Sequence, residues 1–220
     1  MREIPLFPLN AVLFPGVRLK LHVFEDRYRT MVRHSLDRDG LLGIVMIHRG
    51  MEALGPLPEP CQVGTLGRIV ENDTFADGRM NITVLGLDRF RIFSTTSNPQ
   101  PYLIGMVETS PFELPNLIQV HRESRLLSRS VQKYLSGLHQ SLIPNLDVTD
   151  FTPPNDPMSL VFLAAALLQI PPIEKQSILE AASIINMLQI VERLYRRENG
   201  LMSALNEIDN SSPRREAWLN

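Results

Sequence analysis

Apolar and polar residues alternate strictly over residues 17–23, near the start of the chain. The apolar positions are Val17, Leu19, Leu21 and Val23, and the polar positions between them are Arg18, Lys20 and His22. A period of two residues is typical of a strand with one buried side and one solvent-facing side. The pattern therefore predicts a half-buried strand.

The residues before this strand are apolar but are interrupted by Pro5, Pro8 and Pro15. Proline has no N–H group to donate to a neighbouring strand and is therefore rare in central strands. We expect this first segment to run along a sheet edge. The Pro15-Gly16 dipeptide predicts a turn that leads into the alternating strand.

The rest of the first half alternates between strand patterns and one helical pattern. Residues 25–36 predict an amphipathic helix, whose apolar face is formed by Tyr28, Met31, Val32, Ser35 and Leu36. The continuous apolar run over residues 41–47 predicts a strand that is buried on both sides. Strands are also predicted at residues 65–72 and 80–85, at Phe90 and Ile92, and at residues 101–108, and Asp77-Gly78 suits the turn of a hairpin. About six strands and one helix favour a closed or nearly closed antiparallel barrel, which leaves few exposed edges.

The second half has the periodicity of helices. A helix of about six turns is predicted from apolar positions spaced three and four residues apart, which are Leu117, Val120, Ser124, Leu127, Val131, Tyr134, Leu135 and Leu138. A loop follows over residues 144–155. Asp156 and Pro157 then suit the N-cap and first position of a buried helix that ends at residue 170. A short helix over 173–182 and a longer one that stops at Asn199-Gly200 complete the predicted bundle.

These patterns predict an α+β protein with an N-terminal six-stranded antiparallel pseudo-barrel, carrying one helix, and a C-terminal helical bundle. The predicted boundaries are 1–110 for the barrel subdomain, 116–209 for the bundle subdomain and 210–220 for a flexible tail. Within the tail, Trp218 is either frayed with its neighbours or an anchor for a partner.

Composition narrows the class of protein. The formal net charge of −2 argues against a broad nucleic-acid or lipid-headgroup footprint, because such binding neutralises many phosphates. No apolar run reaches the roughly 18 residues of a membrane span. The first residues lead directly into the first strand, so we expect no signal peptide and a cytoplasmic location. The single cysteine, Cys61, excludes an internal disulfide and fits a reducing compartment.

The sequence shows no catalytic motif. The three lysines are Lys20, Lys133 and Lys175, and none follows a glycine, so the chain has no nucleotide-binding P-loop. Ser130 and Ser136 lie near Lys133, but a lysine on a solvated helix face stays protonated and cannot act as a base. The five histidines lack paired metal-ligand spacing. We therefore predict no catalytic residue, cofactor or metal, and a protein that is not an enzyme.

Several segments together resemble a known family. The segments are Pro5-Leu6-Phe7-Pro8-Leu9, Val12-Leu13-Phe14-Pro15-Gly16, Val63-Gly64-Thr65-Leu66-Gly67-Arg68-Ile69 and Val84-Leu85-Gly86-Leu87-Asp88-Arg89-Phe90. Their order over residues 3–198 is similar to that of the Lon protease N-terminal, or substrate-binding, domain family. The resemblance implies a PUA-like pseudo-barrel followed by a bundle, and recognition of unfolded or damaged polypeptide. Nothing corresponds to the ATPase or the Ser-Lys peptidase of Lon, so the resemblance implies a free-standing binding module that hands clients to a separate ATP-dependent protease or shields them.

The candidate polypeptide-binding residues are apolar. They are Leu13, Phe14, Phe24, Phe75 and Tyr102, which together with Phe7 exceed what one small barrel needs to fill its interior. Two interpretations remain open: outward-facing side chains of a groove between barrel and bundle, or ordinary core packing.

Two other functions remain open as well. The barrels of this family resemble PUA-type folds that contact RNA, and Arg68, Arg79, Arg89 and Arg91 would supply a local basic strip. The charges of this region equally suit the solvent-facing side of a strand. A small-molecule receptor is the third possibility.

Overall fold

The structure is a computed structural model that describes residues 1–112, 117–141 and 153–211, with side-chain environments over 1–112, 118–138 and 153–204. The predicted loop over 144–155 lies largely outside these residues. The tail beyond residue 211, with Trp218, also lies outside them.

Strands occupy the first half of the chain and helices the second. The first half contains β1 (Arg2–Leu9), β2 (Arg18–Val23), α1 (Asp26–Leu36), β3 (Leu41–Arg49), β4 (Glu59–Thr74), β5 (Met80–Thr96) and β6 (Leu103–Thr109). The second half contains α2 (Leu117–Ser141), α3 (Pro157–Leu167), α4 (Pro172–Leu179) and α5 (Ile184–Ser211). The predicted α+β class is confirmed. The predicted strands around Met80 and Phe90 prove to be two parts of the single long strand β5.

The six strands form one sheet in the order β2-β5-β4-β3-β1-β6, and β6 also pairs with β5. Five strands therefore close into a ring, while β2 attaches to the first part of β5. The sheet is mostly antiparallel, but β1 and β3 are parallel. This departure from the predicted antiparallel barrel arises because the chain passes through β2 and α1 before β3, and such a crossover connection brings strands together in parallel.

The prediction that the first segment runs along a sheet edge is wrong, because β1 lies between β3 and β6. The two neighbours pair with different parts of the strand: β6 pairs with residues 2–6 and β3 with residues 6–9. Pro5 therefore lies opposite β6 alone, and Pro8 lies opposite β3 alone. Each proline therefore has a paired strand on one side only. On its other side no strand needs the N–H group that proline lacks.

The turn at Pro15-Gly16 forms as predicted and directs two adjacent side chains into different cores. The Val17 N–H donates to the Phe14 carbonyl at 3.1 Å, and Gly16 has a φ of 76°, which favours glycine. Leu13 packs in the barrel core and Phe14 in the bundle core. Gly86 lies against this turn, where an added Cβ would overlap the Phe14 carbonyl oxygen.

The predicted end of the last helix at Asn199-Gly200 is wrong, because α5 continues to Ser211. A glycine inside a helix costs only about 1 kcal/mol relative to alanine. The Asn199 amide is buried and donates to the Ser130 carbonyl of α2 at 3.0 Å. This hydrogen bond between α5 and α2 favours continuation of α5 through Asn199-Gly200, where the sequence pattern predicts that the helix ends.

Two buried polar side chains join the barrel to the bundle. The Arg89 guanidinium donates to the carbonyls of Leu179 and Ala181 at 2.9 and 2.7 Å, at the carboxyl end of α4, and to the Ser110 carbonyl at 2.9 Å. The Gln176 amide donates to the Val63 carbonyl of β4 at 2.9 Å. Burial, with a smaller contribution from Arg91, lowers the pKa of Arg89.

We expect Leu127→Asp to destabilise the protein by about 3 kcal/mol or more, because it would bury an unpaired carboxylate. Leu127 is fully buried between the helices. Arg129→Asp, on the exposed face of the same helix, should be close to neutral. Chemical denaturation of both variants tests the assignment of the buried face, and equal stabilities would contradict it.

We expect Arg89→Met to destabilise the protein by about 2–4 kcal/mol, since three buried carbonyls would lose their donor. The control is Arg91→Met, two residues along the same strand, where the side chain is exposed. That variant should remain within about 0.5 kcal/mol of the parent in the same denaturation experiment. A stable Arg89→Met protein would show that the link between barrel and bundle does not depend on this side chain.

Candidate functional site: an open strand edge beside an apolar groove

Strand β2 has an edge that no other described strand covers. It pairs with β5 alone among the strands of the sheet. The Gly86 N–H donates to the Val17 carbonyl at 2.9 Å, which sets the alternation of the antiparallel ladder. The backbone groups of Leu19 and Leu21 therefore face β5. Those of Arg18, Lys20 and His22 face the open side.

A groove of about 230 Å³ lies along this open edge. Its apolar lining comes from β1, β2 and α1 and includes Phe7, Leu9, Val23 and Tyr28. Phe7 and Leu9 belong to the end of β1 that pairs with β3 alone, so no described strand covers the other side of this segment. The groove is thus open to an extended chain on one side and apolar at its base.

Two carboxylates border the groove. Glu25 lies 2.9 Å from the Arg27 guanidinium, measured from Oε2 to Nη2, and Glu52 accepts a hydrogen bond from the Asn10 N–H at 2.8 Å. Glu25 lies two residues after the end of β2, and Glu52 belongs to the loop after β3. Their negative charges are offset by Arg27, which pairs with Glu25, and by Lys20, which also lines the groove.

An exposed aromatic cluster extends the groove at the carboxyl end of β2, close to the start of β5. Phe24 is 48% exposed and Phe75 is 45% exposed. The His22 ring lies 6.2 Å from the Phe24 ring and 6.3 Å from the Phe75 ring, measured between centroids. Phe75 reaches this position at the tip of the hairpin between β4 and β5, where its N–H donates to the Arg79 carbonyl at 2.8 Å.

The Tyr28 hydroxyl is buried at the base of the groove and has no hydrogen-bond partner among the described residues. Its ring stacks on Phe7 with 4.5 Å between centroids. Burial raises the pKa of Tyr28, Arg27 opposes this shift, and Glu25 and Glu52 add to it. The phenol is therefore neutral at physiological pH and can donate a hydrogen bond to a ligand.

The residues of the groove and of the open edge suit the binding of a ligand. In the part of the chain that the structure describes, no group of three or more histidine, cysteine or carboxylate side chains could hold a metal ion. The polar backbone edge, the apolar base and the exposed aromatic rings instead match the surface of an extended polypeptide with apolar side chains.

The structure separates the five residues that the sequence singled out. Leu13 and Phe14 are 2% and 0% exposed, so of the two interpretations core packing applies to them. Tyr102 is 4% exposed, and its hydroxyl lies 2.8 Å from His34 Nδ1. Only Phe24 and Phe75 are exposed and close to one ligand-sized groove.

A larger cavity of about 660 Å³ does lie between barrel and bundle. It is lined by Leu87, Arg89, Phe112 and Phe162 among others, and by none of the five predicted residues. Sequence analysis also missed Leu9 and Glu52 as groove residues, and it counted Phe7 among the surplus apolar residues without selecting it for the site. The alternation of Arg18, Lys20 and His22 was the available signal, because charged residues are common on edge strands.

The four arginines of the proposed RNA-binding strip are dispersed. Arg89 is buried in its hydrogen bonds to carbonyls. Arg79 pairs with Asp77 at 2.6 Å and lies ten residues before Arg89, roughly 30 Å away along the strand. Arg91 pairs in register with Glu108 of β6. The structure therefore presents no continuous basic surface at these positions.

A closed barrel followed by a helical bundle is the architecture of a known class of substrate-binding domains. The chain belongs to the ATP-dependent protease La (LON) substrate-binding domain family, whose family model matches residues 3–197. The resemblance noted in the sequence is thereby confirmed.

Curated relatives are full-length proteases. The chain is 32% identical over 181 residues to Lon protease 2 of Syntrophobacter fumaroxidans, which covers 81% of this chain and 22% of that protein. It is 26% identical over 223 residues to Lon protease 2 of Myxococcus xanthus, with coverages of 94% and 25%. The chain therefore spans about a quarter of the length of these relatives.

Solved structures share the fold. The crystal structure of a Lon N-terminal domain protein from Xanthomonas campestris has a TM-score of 0.60 at 23% identity and covers 86% of this chain and 96% of its own. The N-terminal domain of the Mycobacterium avium complex Lon protease has a TM-score of 0.64 at 17% identity, with coverages of 89% and 98%. Among the described residues, no helix combines the length and apolar character needed to cross a membrane.

Proposed function

We propose that the protein is a non-enzymatic module that binds unfolded or damaged polypeptide segments in an extended conformation along β2. The observation that carries the proposal is the open edge of β2 beside a groove with an apolar base. Addition of a strand to a sheet edge is a general mode of peptide recognition, in which main-chain hydrogen bonds supply affinity and side-chain pockets supply specificity.

The dimensions of the edge limit the length of the bound segment. Strand β2 has six residues, and three of them direct backbone groups to the open side. A client of about five to seven extended residues, roughly 20 Å long, would pair along it. Alternate side chains of the client would face the groove, where an apolar residue would contact Phe7 and Leu9 and a polar group would accept the Tyr28 hydroxyl hydrogen.

The chemistry of the groove selects the client. Apolar side chains become accessible when a protein unfolds, so a site that requires them together with a free main-chain edge discriminates against folded proteins. We place the module in the cytoplasm and infer that it acts in protein quality control, either handing clients to a separate ATP-dependent protease or shielding them.

Lys20→Pro tests the main-chain pairing. The Lys20 N–H faces the open side, so its loss would leave the pairing with β5 intact and remove one donor to the client. We expect affinity for a fluorescent unfolded model protein, such as reduced and carboxymethylated α-lactalbumin, to fall about fivefold to tenfold. Fluorescence anisotropy provides the measurement.

Lys20→Ala is the matched control, because it removes the same side chain and keeps the N–H group. Lys20→Ala should bind the client within about twofold of the parent protein. The parent protein should cleave neither ATP nor the client. Thermal denaturation of both variants verifies the fold. Equal binding by the proline and alanine variants would rule out pairing along this edge.

Phe24→Ala combined with Phe75→Ala tests the aromatic cluster. Both rings are about half exposed, so their loss should leave stability nearly unchanged and remove apolar contact with the client. We expect about tenfold weaker binding in the same assay. Phe93→Ala, which removes a similarly exposed ring elsewhere on β5, should bind like the parent. An equal loss in both proteins would indicate nonspecific adhesion to exposed rings.

A further inference from the structure

The outward face of α2 carries a row of cationic side chains that we call the α2 basic stripe: Arg122, Arg125, Arg129 and Lys133. All four are exposed. With 3.6 residues per turn, their positions fall within a sector of about 80° around the helix axis and extend over about 16 Å. The stripe is therefore one helix wide and three turns long.

Cations without an ion-pair partner among the described residues lie side by side in the stripe. Six arginines elsewhere form ion pairs with nearby carboxylates, namely Arg18, Arg27, Arg29, Arg79, Arg196 and Arg197. Exposed arginines outside the stripe also lack such a pair, but Arg49, Arg68 and Arg193 lie on three different elements, β3, β4 and α5. Within the described residues, no ion pair includes a member of the stripe. Glu123, the acidic residue of α2, projects about 100° away from Arg122 around the helix. Four neighbouring like charges thus have no ion-pair partner in the part of the chain that the structure describes, although the net charge of the chain is negative.

We propose that the α2 basic stripe binds an acidic amphipathic helix of a protein partner. Its charges recur every three or four residues, which corresponds to about one charge per 5.4 Å turn. Glutamates spaced three and four residues apart on a second helix have the same pitch, so each can face one cation when the two helices lie side by side. Leu126, half-buried beside the stripe, offers an apolar contact to the partner helix.

Two other polyanionic surfaces fit the stripe less well. Single-stranded nucleic acid is held by aromatic side chains that stack on bases as well as by cations, and α2 has no aromatic residue on this face. A lipid surface requires a broad apolar face next to the cations, whereas Ile118 is the only strongly exposed large apolar residue among the described side chains of α2, and Gln132 and Ser136 also border the stripe. The spacing of the charges in the stripe and the residues around it therefore favour an acidic helix as its ligand.

The probe is a synthetic 18-residue helical peptide with glutamates at one position per turn and leucines beside them. We expect saturable binding in fluorescence anisotropy at 50 mM NaCl and at least fivefold weaker binding at 300 mM NaCl, because exposed charges are screened. The triple variant Arg122→Glu, Arg125→Glu, Arg129→Glu should bind at least tenfold more weakly. A triple Arg→Gln variant at the same positions provides a milder test if charge reversal impairs folding.

The control variant is Arg49→Glu, Arg68→Glu, Arg193→Glu, which makes the same change of net charge at exposed arginines outside the stripe. It should weaken binding no more than twofold or threefold. Equal loss in both triple variants, equal binding of a peptide with the same glutamates scattered around the helix, or no binding at 50 mM NaCl would overturn the proposal. Tighter binding of a twenty-nucleotide oligothymidine would assign the stripe to nucleic acid. Lys20→Pro should leave peptide binding unchanged, which separates this surface from the groove.

Discussion

The fold depends on one buried cation. Arg89 lies on β5, yet its guanidinium donates to carbonyls at the carboxyl end of α4 and packs 3.9 Å from the centroid of the Phe112 ring. The last carbonyls of a helix have no partner within that helix, and a buried positive charge requires acceptors. The carbonyls thus accept the hydrogen bonds that the buried guanidinium needs, and the guanidinium supplies the donors that the carbonyls lack within the helix. A different packing of barrel against bundle that kept these groups buried would leave the cation and the carbonyls of α4 without partners, which makes the relative position of the two halves specific.

The open groove follows from the length of β5. Its first part pairs with β2 and its second part pairs with β6, so the ring closes without β2. One strand is left with an unpaired edge, which is normally a risk for aggregation because it accepts any extended chain. Lys20 and Arg18 place charge on this edge and disfavour pairing between two copies of β2. A neutral client carries no such opposing charge, so the same residues permit the interaction that we propose.

Local sequence patterns predicted the helices and strands. Features that depend on contacts between residues far apart in the chain could not be predicted from these patterns. The helix cap at Asp156 forms as expected, with its carboxylate accepting from the Ser159 N–H at 2.8 Å, because capping needs only neighbouring residues. The central position of β1 depends on strands that lie far away in the chain. Arg89 has the pattern of a solvent-facing strand residue, but its acceptors lie about 90 residues away. Phe14 likewise points into a core that only the later helices form.

The two binding surfaces that we propose lie on different halves and depend on different forces. Groove binding rests on main-chain hydrogen bonds and apolar burial, which salt weakens little, whereas pairing along α2 rests on exposed charges, which salt screens strongly. Because Arg89 fixes barrel and bundle relative to each other, a partner held on α2 stays within a limited distance of a client on β2. Such tethering raises the effective concentration of one ligand near the other without any conformational change. The junction between barrel and bundle therefore holds the two proposed binding surfaces at a fixed separation.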